Sequence, residues 1–126
     1  MLHDALESDF KKVLDCAYKV HTALGPCLLE SAYEACLKNE LTKAGLKAET
    51  QKTIPLIYEE VKLDTGYRID MHVNNHIIVE IKTVESLTDV HLAQVLTYMR
   101  LTDCKLGLFV NFNVKYLKQG IKRVIL

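Results

Sequence analysis

The chain of 126 residues lacks the features of several specialised protein classes. No apolar run approaches the roughly 20 residues that a transmembrane helix needs. The N-terminal Met-Leu-His-Asp-Ala-Leu-Glu has neither the basic nor the apolar region of a signal peptide. The sequence also lacks repeats, low-complexity tracts and long linkers. We therefore expect a cytoplasmic protein without a membrane partner, folded as a single domain over residues 1–126.

Paired cysteines are also lacking. Cys16, Cys27, Cys36 and Cys104 form no Cys-x-x-Cys pair. Two of them, Cys16 and Cys36, fall among apolar positions of predicted helices, where reduced thiols pack as small apolar groups. This spacing therefore argues against a zinc site.

The chain has no net charge, which argues against strong non-specific binding to nucleic acid. The charges are nevertheless unevenly spread, with 11 acidic and 8 basic residues in 1–64 but 5 and 8 in 65–126. The segment from Lys115 onward contains no acidic residue. It could follow a phosphate backbone, or its lysines could protect an edge strand.

The most informative segment is Arg68-Ile-Asp-Met-His-Val-Asn-Asn-His-Ile-Ile-Val-Glu-Ile-Lys82. Polar and apolar residues alternate on both sides of the turn-prone Asn74-Asn75-His76, which predicts a β-hairpin. A two-residue Asn-Asn turn would mix the two faces, whereas a three-residue loop separates them. The three-residue loop pairs Val73 with Ile77, Met71 with Val79 and Ile69 with Ile81 on an apolar face, and Asp70 with Glu80 and Arg68 with Lys82 on the other, with His72 beside Ile78.

Two carboxylates facing each other repel unless a cation lies between them. The predicted pairing of Asp70 with Glu80 therefore indicates a metal site, with Lys82 close by. A solvated stripe of charges on an exposed strand is the alternative.

The remaining periodicities predict an α/β fold with a mixed β-sheet flanked by helices, in the order α-α-β-β-β-α-β-(α)-β. Thr88, followed by Asp89, has the character of a helix N-cap. The strand–helix–strand step across this third helix suggests a parallel, right-handed crossover. The predicted helices are Asp4–Leu24, Leu28–Ala44 and Thr88–Leu101, with one turn at Lys115–Gly120; the further strands are Ile54–Tyr58, a candidate at Val61–Leu63, Leu106–Phe112 and Ile121–Leu126.

The spacing Asp-x9-Glu-x-Lys resembles the PD-(D/E)XK nuclease superfamily. The segment Gly25-Pro-Cys-Leu-Leu-Glu-Ser-Ala-Tyr33 is similar to the family named for its Gly-x-x-Glu-x-x-Tyr motif, which is placed within that superfamily. Further similar segments, covering nearly the whole chain, are Gly-Tyr-Arg-Ile-Asp, Ile-Val-Glu-Ile-Lys, His-x-Ala-Gln-x-x-x-Tyr and Asn-Phe-Asn. The motif's glycine three residues before Glu30 is Cys27 here, and cysteine does not easily adopt a positive φ.

The resemblance implies a restriction-endonuclease-like core with an acidic residue on the second helix. Glu30 shares a helical face with Tyr33 and Leu37, which favours a third carboxylate aimed at the same cation. A glutamate stabilised by the helix dipole is the alternative. On the third helix, Gln94 and Tyr98 match a Gln-x-x-x-Tyr motif of exonuclease branches.

The function implied is hydrolysis of phosphodiester bonds in DNA with Mg²⁺ or Mn²⁺. The predicted metal ligands are Asp70, Glu80, Glu30 and the backbone carbonyl of Ile81, because oxygen donors suit these ions. Lys82 completes the catalytic set. The residues expected to contact substrate or support the site are Gln94, Tyr98, His91, Tyr33 and Arg68.

Two other functions stay open. The chain could be a nucleic-acid-binding or regulatory module that keeps the fold without turnover, or a purely structural protein. Cores of this size often assemble into dimers or rings, so a homo-oligomer is also considered.

Overall fold

The computed structural model describes residues 2–126, except for the side chains of Leu2 and residues 64–66. Its order of elements confirms the predicted one. The elements are α1 (Leu2–Leu24), α2 (Glu30–Lys43), β1 (Ala48–Tyr58), β2 (Val61–Val73), β3 (Ile77–Lys82), α3 (Asp89–Thr102), β4 (Leu106–Asn111), a 3₁₀ helix (Leu117–Gly120) and β5 (Ile121–Ile125).

The five strands form one mixed sheet in the order β1-β2-β3-β4-β5. Adjacent strands are antiparallel except β3 and β4, which are parallel and are joined through α3. All of β4 is buried, as its apolar sequence predicts for an interior strand. The fold is therefore α/β, with a mixed sheet and flanking helices, as expected.

Two strand boundaries differ from the prediction. Strand β1 begins at Ala48 rather than Ile54, and β2 is continuous from Val61, so Val61–Leu63 is not a separate strand. The early part of β1, Ala-Glu-Thr-Gln-Lys-Thr, is rich in polar residues and is only partly buried. It therefore lacks the apolar alternation that marks a strand in a sequence.

The sheet separates two apolar clusters. The first contains the inner faces of α1 and α2 together with Met71, Val79 and Ile81. The second contains the inner face of α3 together with Ile69 and Ile78. Because side chains two positions apart on a strand share a face, Glu80 lies on the same side of β3 as Ile78, toward α3.

The hairpin of β2 and β3 has the predicted three-residue loop, with Val73 opposite Ile77, Met71 opposite Val79 and His72 opposite Ile78. Its pairing ends there. The expected pairs of Ile69 with Ile81, Asp70 with Glu80 and Arg68 with Lys82 are absent from the described ladder, so this part of the prediction was wrong. Ile69 instead packs in the cluster beneath α3.

Helix α3 begins as predicted, with Thr88 as its N-cap. The His91 N–H donates to Thr88 Oγ1 and the Thr88 N–H donates to His91 Nδ1, both at 3.3 Å. All four cysteines are free, with Cys16 and Cys104 buried. Within the described residues, no helix is both long enough and apolar enough to cross a membrane.

Candidate active site

Asp70 and Glu80 lie where β2 and β3 stop pairing, and their side chains replace the missing ladder bonds. The Asp70 N–H donates to Glu80 Oε1 at 3.3 Å, and the Ile81 N–H donates to Asp70 Oδ2 at 2.7 Å. Each carboxyl group thus accepts a hydrogen bond from the other strand's backbone. The two acidic side chains are together, as the sequence predicted, although they are joined through the backbone rather than by direct strand pairing.

Glu80 is only 2% exposed. Burial raises its pKa to about 9, and the Asp70 charge and a hydrogen bond between the two carboxyl groups add to this effect. At neutral pH without a cation, Glu80 therefore carries a proton. A buried carboxyl group beside a second carboxyl group needs either a proton or a cation to be stable, so this pair is a suitable place for a metal ion.

Lys82 is two residues after Glu80 on the same side of β3 and is half-buried. Its positive charge lowers the pKa of Glu80, though less than burial raises it. The Lys82 carbonyl accepts a hydrogen bond from the Phe112 N–H at 3.0 Å, which fixes the end of β3 against β4. The Lys82 side chain therefore starts from a rigid strand end beside the carboxyl pair.

Asn111 holds the loop that follows Lys82. Its Nδ2 donates to the Val84 carbonyl at 2.8 Å, and its Oδ1 accepts from the N–H groups of Val84 and Asn113, both at 3.1 Å. Asn111 is buried at the end of an otherwise apolar strand. The Asn-Phe-Asn segment was noted in the sequence, but no role was assigned to Asn111.

Gln51 was missed in the sequence and contacts the site directly. Its Nε2 donates to Asp70 Oδ1 at 3.4 Å and to Glu34 Oε1, on α2, at 3.0 Å. It also has a φ of 50°, in the left-handed region that residues with a side chain rarely adopt. A single glutamine in a polar stretch gives no signal of either property.

Glu30 opens α2, on the opposite side of the sheet from α3. Its Oε1 accepts a hydrogen bond from the Thr83 N–H at 3.2 Å, so it reaches the end of β3. Nowhere in the described part of the chain do three or more His, Cys, Asp or Glu side chains gather closely enough to hold a metal ion. Asp70 and Glu80 thus form a pair, and ligation by Glu30 and by the Ile81 carbonyl stays a prediction.

Tyr33 is fully buried and stacks on Phe112, with ring centroids 4.4 Å apart. Its hydroxyl donates to the Gly25 carbonyl at 2.6 Å and accepts from the Leu28 N–H at 3.2 Å. In this structure Tyr33 therefore supports the loop before Glu30 and cannot touch a substrate directly. Within that loop, Cys27 has a φ of 74°, the positive value that its place in the motif suggested.

Two of the residues expected on α3 face the site. Gln94 Nε2 donates to Tyr98 Oη at 3.3 Å. Burial raises the pKa of Tyr98, and the charge of Glu80 adds to this, which places the phenol near the carboxyl pair. His91 is engaged in the helix cap, and its ring lies 5.7 Å from that of Phe109. Arg68 is exposed on β2 opposite Thr53.

An α/β core that presents an acidic pair and a lysine at the end of its central hairpin has the architecture of a restriction-endonuclease-like protein. The chain belongs to the PD-(D/E)XK nuclease superfamily, whose family model matches residues 7–124. Neither the curated proteins nor the solved structures give a significant match.

Proposed function

We propose that this protein is a Mg²⁺- or Mn²⁺-dependent nuclease that hydrolyses phosphodiester bonds in DNA. We assign it to the Gly-x-x-Glu-x-x-Tyr branch of its superfamily, with one nuclease domain over residues 1–126. The observation that carries the proposal is the buried Glu80 carboxyl group, held against Asp70 and two residues before Lys82.

The carboxyl pair fits a hard divalent cation. Asp70 and Glu80 offer only oxygen donors, and the buried Glu80 needs a neutralising partner. We assign these two residues as ligands, with Glu30 and the Ile81 carbonyl as further ligands. The bound ion supplies Lewis acidity to a phosphoryl oxygen and lowers the pKa of water.

Lys82 acts on the substrate rather than on the metal. Its ammonium group is a compact charge, which binds the scissile phosphate and balances the negative charge that develops on it during attack. The hydrogen bond from the Phe112 N–H to the Lys82 carbonyl fixes the backbone from which this side chain extends.

Gln51 positions the acidic pair. Its amide donates to both Asp70 and Glu34 and holds Asp70 Oδ1, while the Ile81 N–H holds Asp70 Oδ2. Hydrogen bonds of this kind around metal ligands set their orientation and their affinity.

The α3 side of the site contacts the DNA backbone. Tyr98 and Gln94 line a groove with Tyr67 and Leu56, next to the face of β3 that carries Glu80. Their amide and hydroxyl groups are suitable donors to phosphate oxygens. Arg68, exposed one residue along from Tyr67, adds a positive charge to this side, while His91 supports the helix that presents these groups.

A module that binds nucleic acid without cleaving it is the second candidate. Two observations favour it. The Glu30 carboxylate accepts a hydrogen bond from the Thr83 N–H, and the described residues include no cluster of three or more His, Cys, Asp or Glu side chains that could hold a metal ion. In either case we place the protein in the cytoplasm, acting on nucleic acid, with assembly into a homo-oligomer as a further proposal.

Cleavage of plasmid and single-stranded DNA in Mg²⁺ or Mn²⁺ tests the proposal. The wild type should cleave at least one substrate. Lys82→Ala should lower the rate by about 100-fold or more, while Lys105→Ala, which removes an exposed lysine after α3, should not. Retained cleavage in Lys82→Ala would remove this mechanism. Metal binding without any cleavage by the wild type would support the non-catalytic module.

A further inference from the structure

A groove of about 400 Å³ lies between the end of α1 and the segment that follows β4. Tyr18 and His21 form one wall, and Lys115, Tyr116 and Lys118 form the other. The His21 Nε2 atom is 2.8 Å from the Val114 carbonyl oxygen, which joins the two walls. No acidic side chain is among the described residues that line this groove.

The two lysines are available for an anion. The sequence has no acidic side chain after Asp103, and none of the described residues that line the groove is acidic. Arg123, in the same region, is instead paired with Glu7 and lies over the ring of Phe10. Lysines without acidic neighbours in a concave surface create a positive potential that attracts phosphate groups.

Exposed aromatic rings accompany these charges. Tyr116 is 61% exposed and Tyr18 is 41% exposed, so both rings are accessible to a ligand. The Lys115 ammonium nitrogen is 5.4 Å from the centroid of the Tyr116 ring. A flat ring next to a cation fits a nucleotide, whose base stacks while its phosphate is neutralised.

Both walls of the groove are connected to the end of β3. On one side, Gly25 at the groove is held by Tyr33, in the loop that leads to Glu30 and its contact with Thr83. On the other side, Asn111 holds Val84, and its side-chain oxygen also accepts from the N–H of Asn113, two residues before Lys115. The groove therefore opens at the end of the sheet where Lys82 ends its strand.

We infer that this groove binds a single-stranded segment of DNA, with Lys115 and Lys118 on phosphates and Tyr116 stacked on a base. The segment is the part of the substrate next to the bond cleaved at Lys82, and in this respect the inference rests on the proposed function. A stacked base must be unpaired, so the groove favours single strands over a blunt duplex.

Fluorescence anisotropy with a labelled DNA oligonucleotide of about 12 nucleotides, in EDTA so that no cleavage occurs, tests this inference. Lys115→Ala/Lys118→Ala should weaken binding at least about ten-fold and reduce the dependence of log K on log salt by about 1.4. The control Lys12→Ala/Lys38→Ala removes two exposed lysines from α1 and α2 and should have little effect.

Tyr116→Ala should weaken binding of the single strand by about 5- to 30-fold, whereas Tyr116→Phe should retain it. Neither should change binding of a blunt duplex. Equal binding by the two double-lysine variants, an unchanged affinity in Tyr116→Ala, or no binding by the wild type would each overturn the inference. A binding difference in a protein that cleaves nothing would support the groove and reject the nuclease. Cleavage that persists in Lys115→Ala/Lys118→Ala, with unchanged binding, would support the nuclease and reject the groove.

Discussion

The backbone N–H of Asp70 donates to the buried carboxyl group of Glu80, at 3.3 Å, at the point where their two strands stop pairing. The return bond, from the Ile81 N–H to Asp70 Oδ2, is shorter at 2.7 Å. The fold thus brings two acidic groups together by giving each a backbone donor from the opposite strand. This arrangement holds the pair in place before any cation binds.

The first prediction concerns pH. Glu80 has an ordinary pKa of 4.5 and a folded-state pKa of about 9, so its protonated form stabilises the fold at low pH. That contribution is complete below pH 4.5 and is lost as the pH rises toward 9. Glu80→Gln stays neutral, so between pH 5 and 9 in EDTA its free energy of unfolding should rise relative to the wild type by on the order of 2 kcal/mol or more.

Denaturant unfolding at several pH values measures this difference. Glu85→Gln, an exposed glutamate in the loop before α3, is the matched control and should follow the wild type. Parallel curves for Glu80→Gln and the wild type would mean that Glu80 is not held in its protonated form.

The second prediction concerns Cys27, which adopts a φ of 74°. A non-glycine residue in this region costs of order 1 kcal/mol, and glycine removes that cost. Cys27→Gly should therefore raise the free energy of unfolding by about 0.5–1 kcal/mol. Cys27→Ala removes the thiol but keeps the strain, so it should not stabilise. Equal effects of the two substitutions in urea unfolding would show that backbone strain is not the cause.

The third prediction concerns Gln51. Gln51→Ala removes the donor to Asp70 and Glu34 and should weaken Mn²⁺ binding by about ten-fold. Gln51→Gly removes the same donor and also relieves the positive φ, so it should lose metal affinity while gaining stability relative to Gln51→Ala. Calorimetry and unfolding measured on both variants separate these effects. Full metal affinity in both variants would show that Gln51 does not position Asp70.

The fourth prediction concerns the loop after Lys82. Asn111→Ala leaves the N–H and carbonyl of Val84 without their partner, and the fold should lose about 2 kcal/mol. Amide hydrogen exchange at Val84 should accelerate, because its N–H loses its acceptor. The exposed Asn39, on α2, provides the control substitution, Asn39→Ala. Unchanged exchange at Val84 in Asn111→Ala would contradict the role given to Asn111.

The regular part of the hairpin was predictable from the sequence, and its irregular part was not. Alternation of apolar residues correctly paired Met71 with Val79, because one strict register buries one face. Regular pairing of β2 with β3 ends at Asp70, where the Asp70 side chain accepts the Ile81 N–H and where Gln51, on the neighbouring strand β1, has a positive φ. Neither feature leaves a pattern in the sequence, since both depend on tertiary contacts.

The candidate site was predictable in its chemistry more than in its geometry. The spacing of Asp70, Glu80 and Lys82 identified a carboxyl pair with a neighbouring lysine, and the fold places the two carboxyl groups together. Helical periodicity placed Glu30 and Tyr33 on one face of α2. It could not show that the Tyr33 hydroxyl donates a hydrogen bond to the Gly25 carbonyl. A side chain's hydrogen-bond partner is set by elements far away in the sequence.

The most direct test of the central claim is a calorimetric Mn²⁺ titration of the wild type and Glu80→Gln at pH 7.5, in buffers of different ionisation enthalpy. The wild type should bind Mn²⁺ with release of a proton, because the cation replaces the proton on Glu80. Glu80→Gln should show a large loss of affinity. Equal affinity in the two proteins, or no binding by the wild type, would contradict the assignment of Asp70 and Glu80 as the metal site.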